Sequence, residues 1–215
     1  MSDPIETIKT EHRNLDRVLA ALEDSVAGLA AAGTKPDLDL LYSILYYIRV
    51  FPDKLHHPKE EDYLFKALRR RQPDSAALLD ELEKQHAEGA RLITELERAL
   101  TAYDRDYPDG LAVLQEATRT YVDAQREHIA KEEREVLPLA RESLNEEDWG
   151  DISRAFARNS DPMFGDNLET GFRALFEHIT RRAGPSGPYC REPVMEVQRG
   201  VAPLDPHQGP AHGTP

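Results

Sequence analysis

Apolar residues recur at spacings of three and four along the first 145 residues, which is the pattern of amphipathic helices with one buried face. A first helix is predicted over residues 3–31, and it ends in the breaking sequence Ala-Gly-Thr-Lys-Pro at 32–36. A second long helix is predicted over residues 37–71. Pro52 and Pro58 fall inside its pattern, so we expect a bend or a local break there.

The same spacing predicts two further helices. The third begins at Pro73, because a first helical turn tolerates proline, and it runs to the turn sequence Asp-Tyr-Pro-Asp-Gly at 106–110. The fourth follows this turn and ends near Ser143. Four long helices joined by short loops predict an all-α fold, an up-and-down four-helix bundle over residues 1–145.

The remainder of the chain has a different composition. Residues 146–182 carry apolar and aromatic positions typical of one or two shorter helices, and we interpret them as an accessory helical segment. Residues 183–215 contain seven prolines and five glycines with little periodicity, so they cannot bury enough surface to offset the entropy of ordering. We therefore expect a flexible tail there.

Charge and cysteine content restrict the classes of function. With 40 acidic and 27 basic residues the net charge is −13, which disfavours nucleic acid and anionic membranes as partners. No stretch of the sequence is apolar enough for a transmembrane helix, and the N-terminus does not resemble a secretion signal, so a cytoplasmic location is expected. The single Cys190 fits a reducing compartment and excludes a cysteine-built metal site within one chain.

Each of the four predicted helices places at least one histidine on its apolar stripe. These residues are His12 in the first helix, His56 and His57 in the second, His86 in the third and His128 in the fourth. A single histidine on an apolar face is most often a core residue with satisfied nitrogens. One in every helix of a bundle indicates a shared site.

Two glutamates strengthen this interpretation. Glu60 follows His56 by four residues and Glu132 follows His128 by four, so each carboxylate stacks one turn after an inward histidine. Burying an ionised carboxylate without a partner costs several kcal/mol. A metal cation between the helices would compensate for this cost.

The spacing of these residues repeats in the two halves of the chain. His12 precedes His56 by 44 residues and His86 precedes His128 by 42, which predicts two helical hairpins related by a pseudo-twofold axis. Such a pair can hold two metals with two histidines each and two bridging carboxylates, leaving positions open for water, an oxo or hydroxo bridge and a small ligand. Imidazole and carboxylate ligands without thiolate suit iron or manganese, with zinc as a further alternative.

The order of these motifs resembles the hemerythrin HHE cation-binding domain over residues 1–145, including His-His-Pro-Lys-Glu-Glu-Asp-Tyr-Leu-Phe at 56–65 and His-Ile-Ala-Lys-Glu-Glu at 128–133. The resemblance implies a non-haem di-iron centre with an oxo or hydroxo bridge. The ligands that it implies are His12, His56, Glu60, His86, His128 and Glu132, with both glutamates bridging. It also implies binding of, or reaction with, dioxygen, hydrogen peroxide or nitric oxide. The alternatives are iron storage or iron sensing without turnover, and a structural bundle whose histidines are merely buried.

The second-helix motif is ambiguous in register, since His57 and Glu61 also stand four residues apart. We prefer His56 with Glu60, because aligning this pair on the fourth-helix motif superimposes Leu-Phe at 64–65 on Val-Leu at 136–137. Pro58 could distort the helix enough to bring His57 in, so His57 and Glu61 remain as outer-sphere or substitute ligands.

Two positions depart from the oxygen-carrying members of the family. Those proteins place a further histidine one turn after the third-helix ligand, and this chain has Ala90 there. They also have an aspartate five residues after the last histidine ligand, whereas in this chain Glu132 follows His128 by four residues. We therefore expect a ligand set poorer in histidine. That set is closer to bacterial relatives linked to nitric oxide, peroxide and iron handling than to reversible oxygen carriers.

Three histidines and three tyrosines are left without an assigned role in chemistry. His178, His207 and His212 fall in the accessory segment and the tail, and we assign them no ligand role. Tyr46, Tyr63 and Tyr121 lie on helices with proposed ligands, and we expect them to pack rather than react.

Overall fold

The structure is a computed structural model that describes residues 3–30, 35, 38–158, 161–163, 175 and 177. It is all-α, as the hydrophobic pattern predicts, and the described residues contain no strand. Helix α1 is Pro4–Leu29, and α2 is the continuous run of Asp39–Val50, Pro52–His56, His57–Lys59, Glu60–Phe65 and Lys66–Arg71. A 3₁₀ turn at Pro73–Ser75 leads into α3, which is Ala76–Arg105. Helix α4 consists of Leu111–Lys131, Glu132–Val136 and Leu137–Ser143, and α5 is Glu146–Phe156.

Helices α1 to α4 form the four-helix bundle. Each contacts its two neighbours: α1 lies against α2 and α4, and α3 lies against the same two helices. Adjacent helices are antiparallel, as two contacts between α2 and α3 show. Arg69 near the end of α2 meets Glu83 near the start of α3, and Arg49 earlier in α2 meets Glu97 late in α3.

The start of α1 illustrates how the local sequence sets an element. Asp3 caps the helix by accepting a hydrogen bond from the backbone N–H of Ile5 at 3.0 Å, and Pro4 occupies the first turn, where a missing N–H costs nothing. The predicted stripe is then buried along the helix, from Ile5 to Leu29.

Helices α2 and α4 both widen into π-helical turns where the histidines and glutamates lie. In α2 these turns are Pro52–His56 and Glu60–Phe65, and in α4 the turn is Glu132–Val136. The disturbance expected from Pro52 and Pro58 therefore takes the form of π-helical turns within a continuous helix. Single π-turns inside α-helices are frequent at functional sites.

The buried apolar residues divide into two clusters along the bundle axis. The larger contains the C-terminal half of α1 and the facing parts of α2, α3 and α4, with Phe51 and Leu96 among its members. The smaller contains Ile8, Phe65 and Leu82 with the ends of α2 and α4 and the inner face of α5. Between the two clusters lies a layer of buried polar side chains.

Helix α5 is attached to the bundle by charge as well as by apolar contact. Asp148 is 2% exposed and accepts hydrogen bonds from Arg70 at 3.0 Å and from Arg71 at 2.7 Å. It also completes a capping box with Asn145 at the start of the helix. Phe156, at the other end of α5, is buried in the smaller cluster.

Helix α5 lies in the segment predicted as accessory. Most of residues 159–182 and the whole of 183–215, including His178, His207 and His212, lie outside the described residues, so the division at 145 and 182 and the flexible tail stay predictions. In the part of the chain that the structure describes, no helix combines the length and apolarity needed to cross a membrane.

Candidate metal centre

Five histidines and two glutamates fill the polar layer between the two apolar clusters. None of the seven is more than 8% exposed, and the two carboxylates are the most deeply buried: His12, His56, His57, Glu60, His86, His128 and Glu132. The six ligands inferred from the sequence are thus brought together, and His57 joins them. Because each of the four bundle helices contributes at least one of these side chains, the layer exists only in the folded bundle.

The seven side chains form two overlapping groups. One contains His57, Glu60, His86 and His128, and the other contains His12, His56, Glu60 and Glu132. Within each group the candidate ligand atoms all lie within 4.8 Å of one another, close enough for a single ion to contact them all. Glu60 is shared, so its two oxygens can serve both positions.

Distances from the carboxylates to the imidazoles support the same arrangement. Glu60 Oε1 lies 3.1 Å from His56 Nε2, and its Oε2 lies 3.6 Å from His86 Nε2. Glu132 Oε2 lies 3.3 Å from His12 Nε2 and 3.5 Å from His128 Nε2. Each carboxylate therefore reaches one histidine from each group, which is the geometry of a bridging ligand.

None of the four oxygens of Glu60 and Glu132 makes a hydrogen bond with the described residues. The imidazole nitrogens come within ion-pair distance, but without hydrogen-bond geometry, and His12 Nε2 also has no hydrogen-bond partner there. Buried carboxylates in proteins almost always have hydrogen-bonding partners or a bound cation. The residues present therefore fit divalent or trivalent metal ions with mixed nitrogen and oxygen ligands.

The opposite ring nitrogen of four histidines is held by a neighbouring polar side chain. The Nδ1 partners are Glu133 for His12 at 3.0 Å, Glu11 for His56 at 2.6 Å, Glu61 for His86 at 2.7 Å and Gln85 for His128 at 3.1 Å. Because a carboxylate or an amide oxygen only accepts, Nδ1 donates in each case, which leaves Nε2 facing the interior with its lone pair in the neutral ring. This is the outer-sphere arrangement that orients metal-bound histidines.

The charges in the layer perturb one another strongly. Burial disfavours the charged form of His56, but Glu60 and Glu11 outweigh it and raise the pKa of His56 to about 9. For Glu60, burial opposes the charged form, but His56 and His12 outweigh it and hold the pKa of Glu60 well below its usual range. Burial, followed by the neighbouring His86 and His56, lowers the pKa of His57 well below its usual value.

The π-helical turns explain why both His56 and His57 face the centre. In a regular α-helix, adjacent residues point about 100° apart, so only one of the pair would face inward. The π-turn that ends at His56 shifts this register, and the two side chains are only 3% and 6% exposed. The ring of His57 stacks on that of His86, with centroids 4.2 Å apart. Both His56 and His57 therefore face the layer, which now contains five imidazoles. Which of them bind a metal, and whether the ligand set is poorer in histidine than that of the oxygen carriers, stay predictions.

On α3 the inward position next to His86 is Gly89, and Ala90 is exposed. A Cβ on Gly89 would lie 2.6 Å from Nε2 of Gln125, so the absence of a side chain makes room for that amide. Among the tyrosines, Tyr46 and Tyr63 are 62% and 37% exposed, and Tyr121 is fully buried.

Sequence reasoning overlooked the Nδ1 partners Glu11, Gln85 and Glu133, and it gave Glu61 only as an outer-sphere alternative. The sequence does contain a feature that could have identified them, because each is adjacent to a candidate ligand. In the structure each accepts a hydrogen bond from a histidine on a neighbouring helix. Glu11 precedes His12 and holds His56, for example. Polar residues directly beside inward ligands are therefore useful markers in such bundles.

Comparison with known families gives an independent result. Residues 3–140 match the family described as hemerythrin HHE cation binding domain, which covers more than half of the chain. Comparisons with curated proteins and with solved structures found no significant match. The matched region contains all seven side chains of the buried layer and spans both helical hairpins. The chain therefore belongs to the hemerythrin HHE cation-binding domain family.

Proposed function

We propose that this bundle holds two non-haem iron ions and binds or reacts with a small oxidant, namely dioxygen, hydrogen peroxide or nitric oxide. The observation that carries the proposal is the set of four buried carboxylate oxygens without hydrogen-bond partners, surrounded by five imidazoles. In this assignment Glu60 and Glu132 bridge the two ions. The same ligand chemistry also accepts manganese and, with lower preference, zinc.

The two positions differ in their protein ligands. Three imidazoles, from His57, His86 and His128, belong to one group, whereas only His12 and His56 belong to the other. With fewer histidine ligands, the position at His12 and His56 is the better candidate for an exogenous ligand. When bound there, iron supplies the redox and ligand-binding chemistry that amino-acid side chains lack.

The chain's own residues prepare this position. Glu11 and Glu133 orient the rings of His56 and His12 through Nδ1. Phe51 and Phe156 pack against the ring of His56, with centroids 6.3 and 6.1 Å away. Both phenylalanines are buried, so they exclude bulk water from this side of the layer and strengthen the electrostatic interactions within it.

The test is to load the purified protein with iron and measure metal by mass spectrometry and near-ultraviolet charge-transfer absorption. Two irons per chain, and spectral changes on titration with dioxygen, peroxide or nitric oxide, are the expected results. Glu132→Ala should lose bound iron and these bands. Unchanged metal content and spectra in this variant would exclude a bridging role for Glu132.

The second candidate is iron storage or sensing without turnover, which the buried layer accommodates equally well. Peroxide consumption distinguishes the two functions. Many equivalents consumed per iron-loaded chain, against a metal-free control, favour reaction with the oxidant. Stable iron with no consumption and no ligand-induced spectral change favours storage or sensing.

A further inference from the structure

A second group of buried polar atoms lies beside the metal centre and is not used by the proposed ligands. Tyr121 and Gln125 lie on the buried face of α4, about two turns and one turn before His128, and are 0% and 3% exposed. The Tyr121 hydroxyl and Gln125 Oε1 make no hydrogen bond with the described residues. Because buried polar atoms are rarely left without a partner, these two mark a position for a polar ligand or ordered water.

Asp53 of α2 borders the same space. Its Oδ2 makes no hydrogen bond among the described residues and lies 3.7 Å from Nη1 of Arg49. Its Oδ1 lies 4.0 Å from Nδ1 of His57. Both distances are too long for a direct hydrogen bond, so neither Arg49 nor His57 satisfies this carboxylate.

Asp53 lies on the same side of the layer as Tyr121 and Gln125. It precedes His57 by one turn of α2, just as Gln125 precedes His128 by one turn of α4, and the rings of His57 and His128 have centroids only 5.6 Å apart. Burial raises the pKa of Tyr121 well above its usual value, and the carboxylate of Asp53 raises it further, which agrees with this placement. Asp53, Tyr121 and Gln125 therefore form one group of buried polar side chains beside His57, each with an atom that makes no hydrogen bond with the described residues.

Arg49 connects this group of polar side chains with the surface of the bundle. Arg49 is 28% exposed and donates to both oxygens of Glu97 at 3.0 and 2.8 Å and to Thr94 at 2.6 Å. The same guanidinium faces Asp53 inside. A continuous set of polar groups therefore connects solvent with the side of the layer where His57 lies.

This side differs in chemistry from the side where His56 lies. Phe51 and Phe156 present apolar rings there, which suit dioxygen and nitric oxide because these molecules hydrogen-bond weakly. The group of polar side chains beside His57 offers the Tyr121 hydroxyl as donor and the oxygens of Gln125 and Asp53 as acceptors. A ligand that both donates and accepts hydrogen bonds matches this combination.

We propose that Asp53, Tyr121 and Gln125 line a pocket that admits and holds a small hydrogen-bonding ligand, of the class of hydrogen peroxide and water, beside His57. The inference rests on the proposed function and narrows the class of oxidant from any small molecule to one with hydrogen-bonding atoms. The pocket is where this molecule is held on its way to the layer, and the position at His12 and His56 stays the one where it would bind iron. Tyr121 and Gln125 orient the incoming molecule through hydrogen bonds and do not bind the metal.

The kinetic test compares the double variant Tyr121→Phe/Gln125→Leu with Tyr103→Phe, another buried tyrosine that lies at the far end of the larger apolar cluster. Stopped-flow rate constants for hydrogen peroxide and nitric oxide are measured on each iron-loaded protein. At about fivefold per hydrogen bond, the double variant should react with peroxide at least about tenfold more slowly. Its nitric oxide rate and iron content should match those of the wild type and of Tyr103→Phe.

Equal slowing with both ligands, or an unchanged peroxide rate, would overturn the pocket and leave the proposed function intact. A structural measurement keeps the inference testable if the double variant fails to fold. A high-resolution crystal structure of the wild type should contain ordered water or peroxide within hydrogen-bond distance of Tyr121 and between Asp53 and His57. A dry pocket overturns the inference whatever the metal content, whereas a wild-type protein that retains no iron after loading and reacts with no oxidant overturns the proposed function itself.

Discussion

The buried carboxylates make a quantitative prediction about metal removal. Without a cation, the four oxygens of Glu60 and Glu132 have no hydrogen-bond partners among the described residues, and such groups cost about 1–3 kcal/mol each. Protonated imidazoles offset part of this cost. The rise in the pKa of His56 from 6.5 to about 9 corresponds to about 3 kcal/mol of attraction.

A mid-range deficit of about 5 kcal/mol is a large fraction of the stability of a typical domain, about 5–15 kcal/mol. Chelating the metal should therefore lower the melting temperature of the wild type by about 10–20 °C. The variant Glu60→Gln/Glu132→Gln contains neutral amides, which are cheaper to bury and bind metal poorly. Its melting temperature should change by less than about 4 °C on chelation.

The assay is thermal unfolding followed by circular dichroism, with and without chelator, on samples whose metal content is measured. The matched control is Glu88→Gln/Glu116→Gln, which alters two glutamates that are 50% and 63% exposed and should respond to chelation like the wild type. A wild type that keeps its melting temperature after verified metal removal would refute the reasoning. So would an equal loss in the wild type and in Glu60→Gln/Glu132→Gln.

Three further predictions test other parts of the structure. His57→Ala should retain close to one iron per chain after gel filtration, because one of the two groups loses an imidazole; retention of two irons excludes His57 as a ligand. Gly89→Ala should lower the free energy of unfolding by about 1–2 kcal/mol because the new Cβ displaces the Gln125 amide, and Gly89→Ala/Gln125→Ala should recover most of the loss in urea denaturation. The hydrogen bond from Arg71 is the main cause that holds the pKa of Asp148 below its usual 3.8, so Asp148→Asn should cost about 1–2 kcal/mol at pH 7. A lowered pKa stabilises the fold above the unfolded value of 3.8. The difference between the two proteins should therefore shrink as the pH falls below 3.8, and a difference that does not shrink contradicts the prediction.

Periodicity was sufficient to predict the bundle because burial in α1, α3 and α4 follows the regular helical repeat. The stripe from Ile5 to Leu29 and the inward positions of His12, His86 and His128 need nothing beyond spacings of three and four. The same repeat predicted that Glu60 and Glu132 would be buried. Their cost of burial, rather than any single motif, indicated the metal.

The second helix shows where such reasoning stops. A regular repeat allows either His56 or His57 to face inward, and no count of spacings predicts a π-helical turn. The structure brings in both because the turns at Pro52–His56 and Glu60–Phe65 alter the register around the pair. The fifth imidazole comes from α2 instead of the position of Ala90 on α3.

The position of the polar layer also bears on how the metal is acquired. Apolar clusters pack on both sides of it, so the register of all four helices is fixed by side chains that do not bind metal. The Nδ1 partners on neighbouring helices orient the rings before an ion arrives, which reduces the entropy lost on binding. The two carboxylates, however, repel one another until it does. On the proposed function the layer is organised in advance but destabilised without a cation, so metal affinity and the stability of the whole bundle would rise and fall together.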